Sequence, residues 1–116
     1  MKGPIVEHVA IRARDFEWYL NFFKNTMGME ITLTDPKEGG DNLKQVWIGN
    51  IQLQRDETYD PAKASTGQMT HIGLVAENVE ALLERVYAVD GVTQAEGKPR
   101  NWFELPDGPI IEVNEA

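Results

Sequence analysis

The stretch HVAIRARDFEWYLNFFKNTMG, residues 8–28, is matched by HIGLVAENVEALLERVYAVDG, residues 71–91, which begins 63 positions later. Each copy opens on a histidine, in His8-Val9-Ala10-Ile11 and in His71-Ile72-Gly73-Leu74, and the chain has no other histidine. At this offset Asp15 falls on Asn78, Leu20 on Leu83, Phe23 on Val86 and Gly28 on Gly91. A slightly shorter offset of 60 lays Ile51-Gln52-Leu53 on Ile111-Glu112-Val113. An imidazole near the start of each copy and an oxygen donor near its end are the pattern of a metal site built by duplication.

Working outward, residues 5–13 are rich in β-branched and small apolar side chains and read as a strand. Asp15 is placed to cap a helix whose apolar positions Phe16, Tyr19, Leu20, Phe23 and Met27 follow a helical spacing, and Gly28 stands at its end. A strand over 29–34 follows, then a polar loop, then strands over 43–48 and 51–54 joined by Gly49-Asn50, a two-residue hairpin signal. The second copy repeats the order. It has a strand over 69–76, and Asn78 heads a helix carrying Val79, Leu82, Leu83, Val86 and Val89, closed by Gly91. Strands near 92–96, near 101–105 and over 109–114 complete it, the last two joined by the Pro106-Asp107-Gly108 turn. Residues 56–68 lack apolar periodicity and read as a linker. The order is β-α-β-β-β twice over.

With 116 residues the chain is expected to be one domain. Its 41% hydrophobic and 26% charged content fits a globular protein rather than a disordered one. No apolar run approaches the roughly 18 residues of a membrane span, and no apolar leader precedes the first strand, so a cytoplasmic protein is expected. The net charge of −8 argues against a nucleic-acid surface. The absence of cysteine removes thiolate ligands and thiol nucleophiles. Any metal must be held by imidazole and oxygen, which leaves Ni, Co, Zn, Mn, Fe or Mg.

Alternation along a strand gives the donors a common side. Ile51 and Leu53 face the helix, so Gln52 and Gln54 face away; Ile111 and Val113 likewise turn Glu112 and Asn114 outward. His8 parts from Val9 and Ile11, and His71 from Ile72 and Leu74. His8, Gln52, His71 and Glu112 thus form a candidate donor set for a hexacoordinate cation with two positions open. Taken one by one, each reads first as an ordinary hydrogen-bonded or solvated strand residue, and it is the coincidence at repeat-equivalent positions that points to a metal.

Beyond this pattern the chain resembles the vicinal oxygen chelate superfamily, which contains glyoxalase I, methylmalonyl-CoA epimerase, extradiol dioxygenases and fosfomycin- and bleomycin-resistance proteins. The resemblance rests on the opening His8-Val9-Ala10-Ile11, the helix end Asn21-Phe22-Phe23-Lys24-Asn25-Thr26-Met27-Gly28-Met29, the restart at His71, and Leu105-Pro106-Asp107-Gly108-Pro109-Ile110-Ile111-Glu112-Val113. It implies an α+β fold of two βαβββ modules forming a cup-shaped mixed sheet. The whole of 1–116 would be one such domain, with module 1 over 4–55, linker 56–68 and module 2 over 69–114. It also implies one divalent metal on His8, Gln52, His71 and Glu112, and a homodimer. Glyoxalase I enzymes commonly have an acidic residue where Gln52 stands, whereas the His-Gln-His-Glu set is similar to that of methylmalonyl-CoA epimerase.

The implied function is a divalent-metal-dependent lyase or isomerase of the glyoxalase I type, acting on a small α-oxo or α-hydroxy carbonyl compound through a metal-stabilised enediolate. The alternatives are an α-carbon epimerase, an extradiol-type dioxygenase, and a non-catalytic protein that binds a small ligand such as an antibiotic. Two imidazoles, an amide and one carboxylate leave a divalent cation a net charge of about +1, which suits a Lewis acid. The proton acceptor is expected to be Glu112, with Glu104 or Glu30 as a second carboxylate or as exposed charge. Lys98 and Arg100 are candidates to hold an anionic substrate group, and Trp47 and Trp102 to line its pocket.

Overall fold

Alternation and helix periodicity yield two sheets, each covered on one face by a helix. The computed structural model describes residues 6–63 and 70–116. The chain divides into two compact units between Asp60 and Pro61. The expected strand residue Ile5, the linker positions 64–68 and the expected strand residue Met69 lie outside the described residues.

In the first unit β1 (Val9–Ala13) leads into α1 (Phe16–Asn21), followed by a π-helical turn over Phe22–Thr26. Then come β2 (Ile31–Asp35), β3 (Gln45–Ile48) and β4 (Ile51–Arg55). The sheet order is β1-β4-β3-β2, with β1 parallel to β4 and the other pairs antiparallel. The second unit holds β5 (Ile72–Ala76), α2 (Val79–Tyr87), β6 (Thr93–Gln94), β7 (Trp102–Glu104) and β8 (Ile110–Glu115). Its order, β5-β8-β7-β6, repeats the first with β5 parallel to β8. The βαβββ unit expected from the repeat is present twice.

Local chemistry explains the boundaries. Asp15 accepts from Trp18 N at 3.2 Å, and Asn78 accepts from Ala81 N at 3.4 Å, so both helices start where a cap was expected. Glu115 adds a second cap that the repeat does not announce: its carboxylate accepts from Asn78 N at 2.8 Å and Val79 N at 3.0 Å. That ties the last strand to the head of α2. Gly49 and Asn50 both take positive φ, 54° and 67°, as the tight β3–β4 hairpin requires.

Three expectations are corrected. The strands begin later than the apolar runs suggested, so His8 and His71 stand one residue before β1 and β5 rather than inside them. The helix expected to run past Phe23 gives way to a π-helical turn in which Met27 N donates to Phe22 O at 2.9 Å. Phe22 is consequently in the core and Leu20 only half-buried, because the buried face follows the chain's actual rotation rather than the ideal stripe. Strand β6 is reduced to Thr93–Gln94.

The cores are built from alternate strand positions. Val46, Ile48, Ile51 and Leu53 meet Phe16, Tyr19, Phe22 and Phe23 in the first unit's buried set; Phe103, Ile111 and Val113 join Leu82, Leu83 and Val86 in the second's. Among the described residues no charged side chain is buried, and none of the helices is long and apolar enough to cross a membrane. Phe103→Ala should lower unfolding stability by about 3–5 kcal/mol, since it empties a fully buried site, whereas Leu33→Ala on the exposed side of β2 should change it by less than about 0.5 kcal/mol. Urea denaturation of the two variants checks the contrast.

Candidate functional site

Register places side chains of hydrogen-bonded strands in rows across each sheet. In the first unit Ala10 stands opposite Gln52 and Gln52 opposite Trp47. In the second Gly73 stands opposite Glu112 and Glu112 opposite Trp102. The two rows are equivalent: a small residue on the first strand of the unit, an oxygen donor on the last strand at the centre of the row, and a tryptophan on the strand beyond it. All lie on the face turned away from the core, as the buried neighbours Leu53 and Val46, or Val113 and Phe103, require. The tryptophan equivalence is invisible to a fixed offset, because the β3–β4 hairpin has two residues and the β7–β8 connection is longer.

The second row is the more closely knit. His71 Nε2 approaches Glu112 Oε1 to 3.3 Å, and both side chains are about a quarter to a third exposed, at 30% and 24%. The His71 ring lies against Trp102 with centroids 4.3 Å apart, and Lys98 Nζ sits 4.7 Å from the centre of the Trp102 ring. Glu104 lies two residues along β7 from Trp102, on the same face and opposite Ile110. The Arg100 guanidinium lies 4.7 Å from the Tyr87 ring of α2.

In the first row Gln52 donates through Nε2 to Gln45 Oε1 at 2.8 Å, and Trp47 is half-buried beside it. His8 is 42% exposed, at the head of β1. Glu30 lies exposed just before β2. The structure therefore brings His71, Glu112, Trp102 and Lys98 together and gives Gln52 a fixed polar partner. Among the described residues no three His, Cys, Asp or Glu side chains group closely enough to hold a metal ion.

Donor chemistry still fits a cation of the imidazole- and oxygen-preferring kind. Each histidine has its Nδ1 engaged by the residue just before it: His8 Nδ1 is 3.3 Å from Glu7 Oε1, and His71 Nδ1 is 2.9 Å from Thr70 Oγ1. A carboxylate only accepts, so His8 carries its hydrogen on Nδ1 toward Glu7 and a neutral ring keeps its lone pair on Nε2. By the same rule Glu112 Oε1, 3.3 Å from His71 Nε2, draws the hydrogen of that ring to Nε2, with the Thr70 hydroxyl donating to Nδ1. Because the hydroxyl can also accept, it serves the other tautomer when Nε2 is needed as a lone pair. Fixing the far nitrogen in this way is what orients a ligating imidazole. Adjacent hydroxyl or acidic residues at 7 and 70 were a readable signal that the repeat pattern alone passed over.

A clamp behind β7 also escaped the sequence reading. The Tyr87 hydroxyl donates to Arg100 O at 2.6 Å and approaches Trp102 O at 3.3 Å, fixing the segment that carries Lys98 and Trp102. Burial raises the Tyr87 phenol above its usual 10.0, and the nearby Arg100 charge only partly offsets this. The folded state therefore holds the phenol proton more tightly than the unfolded chain does. Its contribution is complete below pH 10 and is lost as pH rises through the folded value. Tyr87→Phe should cost about 1 kcal/mol at neutral pH and should lose stability less steeply than wild type above pH 10, as chemical denaturation across pH will measure.

The model of the Glyoxalase/Bleomycin resistance protein/Dioxygenase superfamily matches residues 5–102, a span that includes His8, Gln52 and His71 and ends before Glu112. No curated protein sequence matches the chain. Among solved structures, a glyoxalase/dioxygenase from Nostoc punctiforme is similar with a TM-score of 0.71 and 18% identity, over 96% of this chain and 90% of that one. A superfamily member from Sphaerobacter thermophilus DSM 20745 has a TM-score of 0.60 and 21% identity over 100% of both chains. TnmS3, an antibiotic binding protein from Streptomyces sp. CB03234, has a TM-score of 0.61 and 18% identity, over 99% of this chain and 98% of that one. At these identities the likeness is one of fold.

Proposed function

The chain belongs to the Glyoxalase/Bleomycin resistance protein/Dioxygenase superfamily, and on that premise we propose that it is a divalent-metal-dependent lyase or isomerase of the glyoxalase I type. Its substrate in this reading is a small α-oxo or α-hydroxy carbonyl compound. The observation that carries the proposal is the pair of equivalent rows, each with an oxygen donor, Gln52 or Glu112, at its centre and a histidine with an engaged Nδ1 at the head of the neighbouring strand.

Gln52 and Glu112 from the rows, with His8 and His71 at the heads of the neighbouring strands, are the assigned donors for one divalent cation. When bound, the cation would supply positive charge for the negative charge that develops on substrate oxygens. The protein's own residues do the remainder. Glu112 has a second carboxylate oxygen beside the one facing His71, and this is the group assigned to take a proton from the substrate carbon. Glu104, on the same face, is the second carboxylate available to return it. Lys98 offers a cation to an anionic substrate group beside Trp102, whose ring gives a flat apolar wall. Trp47 offers the equivalent wall in the first row. Arg100, held over Tyr87, is the second cation of the loop assigned to the anionic substrate group. The proposed form is a cytoplasmic homodimer.

A second reading is favoured by one feature, the Trp102 ring flanked by His71 and Lys98. Such a group stacks on a planar ligand without any metal, and the fold is shared with an antibiotic binding protein.

Calorimetric titration with Zn(II) and Mn(II) separates the two. His8→Ala and Glu112→Ala should each weaken binding about 10-fold or more, while Gln54→Ala, outside the donor set, should leave it unchanged. Equal affinity in all three variants contradicts the assignment, and tight binding of planar aromatics with no metal dependence supports the second reading. For a lyase, chelation should abolish turnover; solvent deuterium exchange at an α-carbon without net rearrangement would make the enzyme an epimerase instead.

A further inference from the structure

Gln52 does not stand alone on its face. Its Nε2 donates to Gln45 Oε1 at 2.8 Å, and Gln45 Nε2 donates in turn to Asp35 Oδ2 at 3.0 Å, both bonds partly buried. Asp35 and Gln45 are direct register partners on β2 and β3, and Gln45 is the diagonal neighbour of Gln52 on β4. The chain of bonds therefore crosses three strands on the face that carries the candidate donors.

The direction of this chain is set by its end. A primary amide has a donating and an accepting edge, and alone it can turn either way. A carboxylate accepts and cannot donate. Asp35 therefore forces Gln45 to present Nε2 to it, which leaves Gln45 Oε1 as the acceptor facing β4. Gln52 must then turn Nε2 toward Gln45, and its Oε1 takes the opposite edge of the amide. A cation needs the oxygen of Gln52 and is repelled by the hydrogens of its NH2.

We propose that Asp35 and Gln45 are positioning residues that fix the amide of Gln52 so that its oxygen is offered to the cation. This rests on the metal reading above and adds two residues to it, neither of them a ligand. Without the relay the Gln52 side chain would spread over its other rotamers as well as the repulsive amide orientation, leaving the ligating orientation about a tenth of the population, and affinity would fall with that fraction.

The test uses Co(II) titration of the full chain, followed by visible absorption, together with the side-chain NH2 resonances of Gln52 in the metal-free protein. Gln45→Met removes both bonds at similar size and no change of charge; Asp35→Asn keeps the shape and removes the directionality. Each should weaken Co(II) binding about 10-fold and shift the Gln52 NH2 signals toward those of a solvated amide. The Asp35→Asn/Gln45→Glu double variant restores a donor at 35 and an acceptor at 45 with wild-type net charge. It should recover affinity to within a factor of about three of wild type. Wild-type Co(II) affinity in both single variants, or unshifted Gln52 NH2 signals, overturns the relay while leaving the metal reading standing. If Asp35→Asn weakens binding and Gln45→Met does not, loss of the Asp35 charge and not of the hydrogen bonds is the cause, and the relay is rejected. No Co(II) binding by wild type overturns the metal reading and this inference together.

Discussion

The structure depends on the two-residue period of its strands. Because successive side chains alternate, Ile51 and Leu53 can be wholly buried under α1 only if Gln52 faces the other way. Ile111 and Val113 impose the same on Glu112. Apolar burial of this kind contributes about 1.5–3 kcal/mol per large side chain, so a one-residue slip in register is heavily disfavoured. The polar donors are thus held in place by the hydrophobic residues beside them. A site built this way inherits its rigidity from the core without burying a charge.

Much of the fold was legible for this reason. Duplicated histidines, caps at Asp15 and Asn78, the Gly49-Asn50 hairpin and the Pro106-Asp107-Gly108 turn each have a local physical cause, and each marks a real boundary. What was not legible depended on tertiary packing. The π-helical turn at Phe22–Thr26 inserts Phe22 into the core, where Trp18 stacks on it with centroids 5.1 Å apart, and no helical stripe announces that rotation. The later starts of β1 and β5 reflect which residues find a ladder partner, and an apolar run carries no information on that point.

For the candidate site, residue types and faces were readable, but partners were not. Trp47 and Trp102 were evident as aromatic strand residues; that they occupy the same register position, opposite Gln52 and Glu112, emerges only from strand pairing. Lys98 and Arg100 looked alike in the loop before Trp102. They part because Tyr87 gathers Arg100 by its carbonyl and its guanidinium, leaving Lys98 to Trp102. The hydrogen bonds that polarise Gln52 cross strands distant in sequence, from Asp35 to Gln45 to Gln52, and no spacing rule picks them out.

The central proposal is that the donors assigned from the duplication, His8, Gln52, His71 and Glu112, hold one divalent cation. Elemental analysis of metal-saturated protein against protein concentration addresses it most directly. The account predicts one equivalent of divalent metal per chain, lost in full when either His8 or His71 is replaced by alanine. No retained metal, or two equivalents per chain with each substitution removing just one, would contradict it.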